Sequence, residues 1–371
     1  MSANVSYPIT GDRSHVPATN GVSLKPLLLL AREKGIWSPA LLAGVLWRGV
    51  TNIWTLRDVV QILKFPPYLD AARSHPRFVF KYLTPDYLVR GLTVRERAAC
   101  FAHHYRRMQS TLPDRLLRQT LEGDVDVHEI WVGENRFTLT MGLPQPLDKE
   151  GEMSLNLRVN GEIVFVLSFS VVPGWVVKSE SAEVMLITQL QGRRGAYQQI
   201  SLATKSLHDV APCALLLAAL QGIASALGID QLAGVCATSQ TCYTAECAAA
   251  FNTAYDGFFQ ELGIARNSEG FFVSPVPIEE KPLASIKQGH KLRTREKRAF
   301  KQQIQKVCAA FFAEFLPLRS ATQTANPNEP VLDSNPMVPQ FAYRQKPPLE
   351  AIGTLDCVKS LDRIPVPVEQ T

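Results

Sequence analysis

Residues 189–200, QLQGRRGAYQQI, set two glycines around two arginines where β-prone sequence gives way to helical periodicity. At such a junction backbone N–H groups lack partners, glycine lets a ligand approach them, and the helix dipole favours negative charge. Gln189, Gly192, Arg193, Arg194, Gly195 and Ala196 therefore have the chemistry to hold an anion such as a phosphate. A tight connecting turn would need the same glycines. A second polar cluster is His103, His104, Tyr105, Arg106 and Arg107. On a helix His103 and Arg107 stand at i, i+4, and His104 and Arg107 at i, i+3, a spacing that suits a docking anionic group. The alternative is a histidine that packs inward and bonds to backbone. Between Lys281 and Lys306 nine basic residues face one acid, Glu296. Lys291, Arg293, Arg295 and Arg298 are the core of that patch, which suits the phosphates of RNA or of an anionic membrane surface, or is a solvated helix face.

The elements that must position these groups follow from hydrophobic period. Residues 1–21 show none and read as a flexible arm, and 22–121 are helical in spacing. Thr93 and Glu96 form an S/T-x-x-E capping signal, and KFPPYLD breaks the helical run. Near Val125 the period becomes alternating: VHEIWV, RFTLTMGL, MSLNLRV, EIVFVLSFSVV and VMLITQLQ read as strands. The turns between them, around Gly133, Asn160-Gly161 and Pro173-Gly174, are short enough to require antiparallel pairing. Helices follow at about 196–207 and 213–227, then a strand QLAGVCA, a helix near 244–262 and a last strand GFFVSP. The expected class is α+β: a helical N-terminal part, then a mainly antiparallel sheet with helices packed on it over 122–280. A basic helical segment at 281–316 and a proline-rich disordered tail at 317–371 complete the expected organisation.

Composition bounds the function classes. The chain has 371 residues, 46% hydrophobic and 20% charged, which excludes wholesale disorder, and a net charge of +5 leaves any anion attraction to local patches. Seven scattered cysteines without a C-x-x-C pair argue for reduced thiols, a cytoplasmic setting and no metal. The N-terminus lacks a secretory pattern, and the apolar stretch 38–65 carries too many charges to span a bilayer. Walker, G-x-G-x-x-G, G-x-S-x-G and H-E-x-x-H motifs are absent, which disfavours kinase, dinucleotide oxidoreductase, serine hydrolase and zinc protease readings.

FPPYLD at 65–70, HHY at 103–105, LQG at 190–192, SLHDVAPCALL at 206–216 and YDGFFQELG at 255–263 together resemble the VirK/YbjX family of Gram-negative bacteria. The resemblance implies an intracellular protein tied to virulence, envelope behaviour and antimicrobial-peptide tolerance, in the cytoplasm or peripheral at the inner membrane. The order of strands, Gly/Arg loop, helix, strand, helix and strand is also similar to GCN5-related N-acetyltransferases. That likeness implies that residues 189–196 hold the pyrophosphate of coenzyme A or an acyl-thioester donor, although Arg194 stands where the family's second small residue belongs. A transferase of this type needs a proton donor and a base, and the candidates are Tyr255 and Glu183, with a core aromatic and a surface carboxylate as their ordinary readings. Two further readings stay open: a non-catalytic RNA- or anionic-lipid-binding factor affecting envelope protein expression or sorting, and a ligand sensor without turnover.

Overall fold

The computed structural model describes residues 39–144 and 150–316. The expected flexible arm, the residues up to 38 and the expected disordered tail lie outside the described residues.

Helices α1 (Pro39–Thr51) and α2 (Ile53–Ile62) are separated by Asn52 alone. The chain then breaks at Lys64-Phe65 and restarts as α3 (Pro66–Ser74), whose two prolines occupy the first turn, where no amide is needed. After the short α4 (Arg77–Phe80), α5 (Val94–Thr111) opens with the expected capping box. The Thr93 hydroxyl accepts the Glu96 N–H at 3.2 Å, and the Glu96 carboxylate accepts the Thr93 N–H at 2.7 Å. Helix α6 (Asp114–Glu122) leads into the sheet.

The sheet has seven strands in sequence order: β1 (Val125–Val132), β2 (Asn135–Gly142), β3 (Met153–Val159), β4 (Glu162–Pro173), β5 (Glu183–Gly192), β6 (Gln231–Val235) and β7 (Phe271–Pro275). Two-residue turns at Gly133-Glu134 and Asn160-Gly161 join the first hairpins, and Asn160 and Gly161 both take the positive φ that such turns require. All neighbours are antiparallel except β5 and β6, which run parallel because α7 (Tyr197–Ser206) and α8 (Pro212–Leu227) make the crossover. The class is α+β, with a mixed sheet.

Helix α8 is apolar on all sides because it is covered on all sides: it packs on β3, β4 and β5, and α11 (Lys291–Ala313) packs on it. The approach of the two helices is so close that a Cβ at Gly222 would lie 2.2 Å from the carbonyl oxygen of Gln305. Gly228, in the left-handed region, ends α8. Helix α5 lies against β4. Between β6 and β7, α9 (Ala248–Phe251), a π-turn over Asn252–Gly257 and α10 (Phe258–Glu261) replace the uniform helix expected at 244–262.

Candidate functional site

The parallel pair β5 and β6 is in register over only Met185–Ile187 with Leu232–Gly234. Beyond Ile187 the two strands part. Thr188 is the extra residue of a bulge in the β4–β5 ladder, where Ser168 pairs with Gln189 and Phe169 with Ile187, and such a bulge bends the strand. β6 ends at Val235 and turns away through Ala237–Ser239. Side chains from the following segment meet the backbone that β6 leaves: Gln240 donates its amide N–H to the Thr188 carbonyl, and Tyr255 accepts the Leu190 N–H at 3.4 Å. Thr188 Oγ1 donates to the carbonyls of Glu150 and Ser168, and Thr241 Oγ1 donates to Glu150 Oε1 at 3.0 Å. The divergence is thus lined by Thr188, Leu190, Gln240, Thr241, Glu150 and Tyr255.

The Gly/Arg stretch follows at the end of β5. Gly192 is the last residue of β5, paired with Phe165, and Arg193 N–H continues the ladder to Val164 O at 2.9 Å. A turn follows in which Ala196 N–H bonds to Arg193 O at 3.1 Å and Gly195 takes φ +80°. Helix α7 then starts without a side-chain cap, so its first-turn amides stay available. Arg193 and Arg194 are exposed, and Arg193 forms a surface pair with Glu162 at 3.2 Å. Gln189 is not part of this turn: it sits inside β5, where its Oε1 accepts the Ser168 hydroxyl at 2.6 Å. That corrects its expected place in the anion loop.

Glu183 opens β5, nine residues from Gly192 and so roughly 30 Å along the strand. There it meets the helix cluster. His103 Nε2 lies 3.0 Å from Glu183 Oε2, Arg107 Nε donates to Oε1 at 2.9 Å, and Arg107 also bonds to Thr111 Oγ1 and, at 2.5 Å, to the Leu227 carbonyl. Burial pushes the Glu183 carboxyl up, but hydrogen bonding from His103 and the charge of Arg107 outweigh it, and its pKa falls below the ordinary carboxylate value. The sequence expectations for these residues are corrected together: the anion beside His103 and Arg107 is Glu183 itself, and Glu183 is too far from the loop to serve it as base. His104 does not face an external anion either. It is fully buried, its Nδ1 accepts the Val171 N–H at 3.1 Å, and desolvation, followed by the charges of Lys81 and His103, holds it neutral.

A larger polar group went unseen in the sequence. Lys81 Nζ lies 2.6 Å from Glu152 Oε2 with both side chains buried, and the hydroxyls of Tyr87 and Tyr105 donate to the same carboxylate. Lys81 also bonds to Gly151 O at 3.1 Å, and Tyr68 donates to Tyr105 O at 2.7 Å. Glu152, just before β3, and Ser154 and Asn156 within it alternate as a solvent face would, yet all three are buried. The alternation marks a strand but does not say which face is covered.

Helix α11 carries the basic patch, but half of its core is spent internally. Arg293 pairs with Asp209 at 3.0 Å, and Arg298 with Glu280 at 2.6 Å. Lys291 and Arg295 have no such partner among the described residues. Lys287, His290, Arg293 and Lys297 line a shallow depression with Ser285, Ile286 and Thr294.

A family model described as "Protein of unknown function (DUF535)" matches residues 45–310, which takes in every group named above. No curated protein and no solved structure matches the chain. Among the described residues no helix is long and apolar enough to cross a membrane.

Proposed function

Since the chain belongs to the DUF535 family over residues 45–310, we propose an activity for the whole matched unit: transfer of an acyl group from a thioester donor such as acyl-coenzyme A to an amine or hydroxyl. The acceptor we propose is an envelope component or its precursor, in keeping with the resemblance to VirK/YbjX proteins and their ties to virulence and antimicrobial-peptide tolerance. One observation carries the reading. Two parallel strands separate beyond Ile187, and the Gly192–Ala196 turn with its two exposed arginines stands at the end of the strand that bulges. A pyrophosphate on the Arg194, Gly195 and first-turn α7 amides would lay a thioester along β5 toward Leu190.

In that pose the thioester carbonyl takes the Leu190 N–H that Tyr255 now accepts, so the amide stabilises the oxyanion as the acceptor nitrogen attacks. The new C–N bond forms, the C–S bond breaks, and the proton shed by the amine ends on the departing thiolate by way of the Tyr255 hydroxyl. At the bulge Gln240 donates to the Thr188 carbonyl, Thr188 donates to the Glu150 backbone carbonyl, and the Glu150 carboxylate accepts the Thr241 hydroxyl. Calorimetric titration with coenzyme A and acetyl-coenzyme A tests the reading, with an Arg193→Glu/Arg194→Glu variant alongside. Both side chains are exposed, so the variant keeps its fold while losing the anion site. Saturable heat that the variant lacks supports the proposal, and equal heats or none refute it.

A further inference from the structure

Helices α1 and α2 are apolar on two opposite faces. The inner stripe, Val45, Gly49, Leu56, Val59 and Ile62, recurs at helical spacing and packs on the rest of the helical part. A helix on a protein surface ordinarily turns polar groups outward. Here the outward stripe is Leu46, Trp47, Val50, Ile53 and Trp54, at 44%, 70%, 71%, 61% and 78% exposure. Among the described residues these side chains stand out from the surface as a ridge. Contiguous exposed apolar surface of this kind marks an interaction site.

The same stripe continues into charge. Arg57 stands three residues beyond Trp54 and four beyond Ile53 on α2, and Lys64 follows just past the end of α2 at Ile62, where the chain breaks. Both are exposed and neither has an ion-pair partner among the described residues. The acid nearest in sequence, Asp58, is taken up by Arg106 at 2.6 Å. Among the described residues the stripe and the break after it thus hold two tryptophans, three aliphatic side chains and two cations without an ion-pair partner. Tryptophan favours the boundary between hydrocarbon and headgroup, where its ring is buried and its N–H stays wet. Cations beside it are attracted to anionic headgroups.

We propose that the α1–α2 ridge docks this protein in the plane of an anionic lipid surface, with Trp47 and Trp54 inserted at headgroup depth and Arg57 and Lys64 on the lipid phosphates. A protein groove would instead have to be shaped to a protruding ridge, and the polar side chains between the described residues of the stripe, Thr51 and Asn52, are bonded to carbonyls of α1. The proposal is independent of the thioester reading, since no residue of the β5–β6 divergence takes part.

The full-length protein is sedimented with large unilamellar vesicles of phosphatidylglycerol and phosphatidylcholine, and with pure phosphatidylcholine. Tryptophan emission is followed in parallel, with brominated lipid as quencher. Wild type is expected to bind the anionic vesicles, with blue-shifted emission quenched by the brominated chains, and to bind more weakly as salt rises. Trp47→Ala/Trp54→Ala should weaken binding by roughly tenfold or more. Arg57→Gln/Lys64→Gln should lose most of the preference for anionic lipid. All four side chains are exposed, and unchanged thermal unfolding of both variants confirms an intact fold. Absence of vesicle binding by wild type overturns the proposal. So does binding that the tryptophan pair does not affect. A wild-type dimer that the tryptophan variant dissociates, without vesicle binding, overturns it in favour of a second copy of the chain.

Discussion

The Leu190 N–H reaches the hydroxyl of Tyr255 at 3.4 Å beyond the point where the β5–β6 ladder ends. Tyr255→Phe removes this hydroxyl and keeps the ring stacked on Phe251. If the hydroxyl serves the departing thiolate, the same variant loses turnover by roughly 10²-fold or more while thioester affinity stays within about threefold. Calorimetric affinity and thiol release measured on one preparation separate the two effects. Equal turnover in both proteins would remove Tyr255 from the chemistry.

Glu183 ties α5 to β5 and to the end of α8 through His103 and Arg107. Replacing it with glutamine leaves a half-buried guanidinium without its counter-charge and should cost about 1–3 kcal/mol at pH 7. Its folded-state pKa is depressed, so its contribution is complete above the unfolded value of about 4.3 and fades as pH falls through the lower folded one. Denaturant unfolding of wild type and Glu183→Gln should therefore differ at pH 7 and converge in the acid range. Thioester affinity should be unaltered by the substitution, given the distance along β5.

The buried Lys81–Glu152 pair behaves as a unit. Lys81→Met strands a carboxylate among Tyr87 and Tyr105 and should cost roughly 3–5 kcal/mol, and Glu152→Gln strands the ammonium with a similar penalty. The double variant should lose much less than the sum, which a double-mutant cycle reads directly. Additive losses would show that the two charges are not coupled.

His104 supplies a pH signature of opposite origin. Kept neutral by burial, it takes a proton far more readily in the unfolded chain, so unfolding free energy should fall as pH drops below about 6.5. The slope approaches about 1.4 kcal/mol per pH unit for one proton, and it should flatten in His104→Gln. Unfolding curves between pH 7.5 and 5 decide it.

Strands β1 to β5, the Thr93–Glu96 cap and the restart at Pro66 follow from local rules, period two and capping chemistry, which need no tertiary partner. The close placement of His103, Arg107 and Glu183 joins residues about 80 apart in the chain, and only packing brings them together. The burial of Glu152, just before β3, and of Ser154 and Asn156 within it is not legible in the sequence, because alternation reports two faces without saying which one is covered. Gln240 and Glu150 carry no motif at all: their place at the bulge depends on where β6 stops. The π-turn that holds Tyr255 likewise departs from the regular helix that its spacing suggested.

The most direct test of the thioester account is a backbone-amide NMR titration of the full-length protein with acetyl-coenzyme A. Saturable shifts of the Arg194, Gly195 and Tyr197–Gln199 amides, together with the Leu190 amide as its hydrogen moves from Tyr255 to the thioester carbonyl, are the expected result. Unmoved amides across 188–199 at millimolar ligand, or shifts confined to α11, would contradict the account.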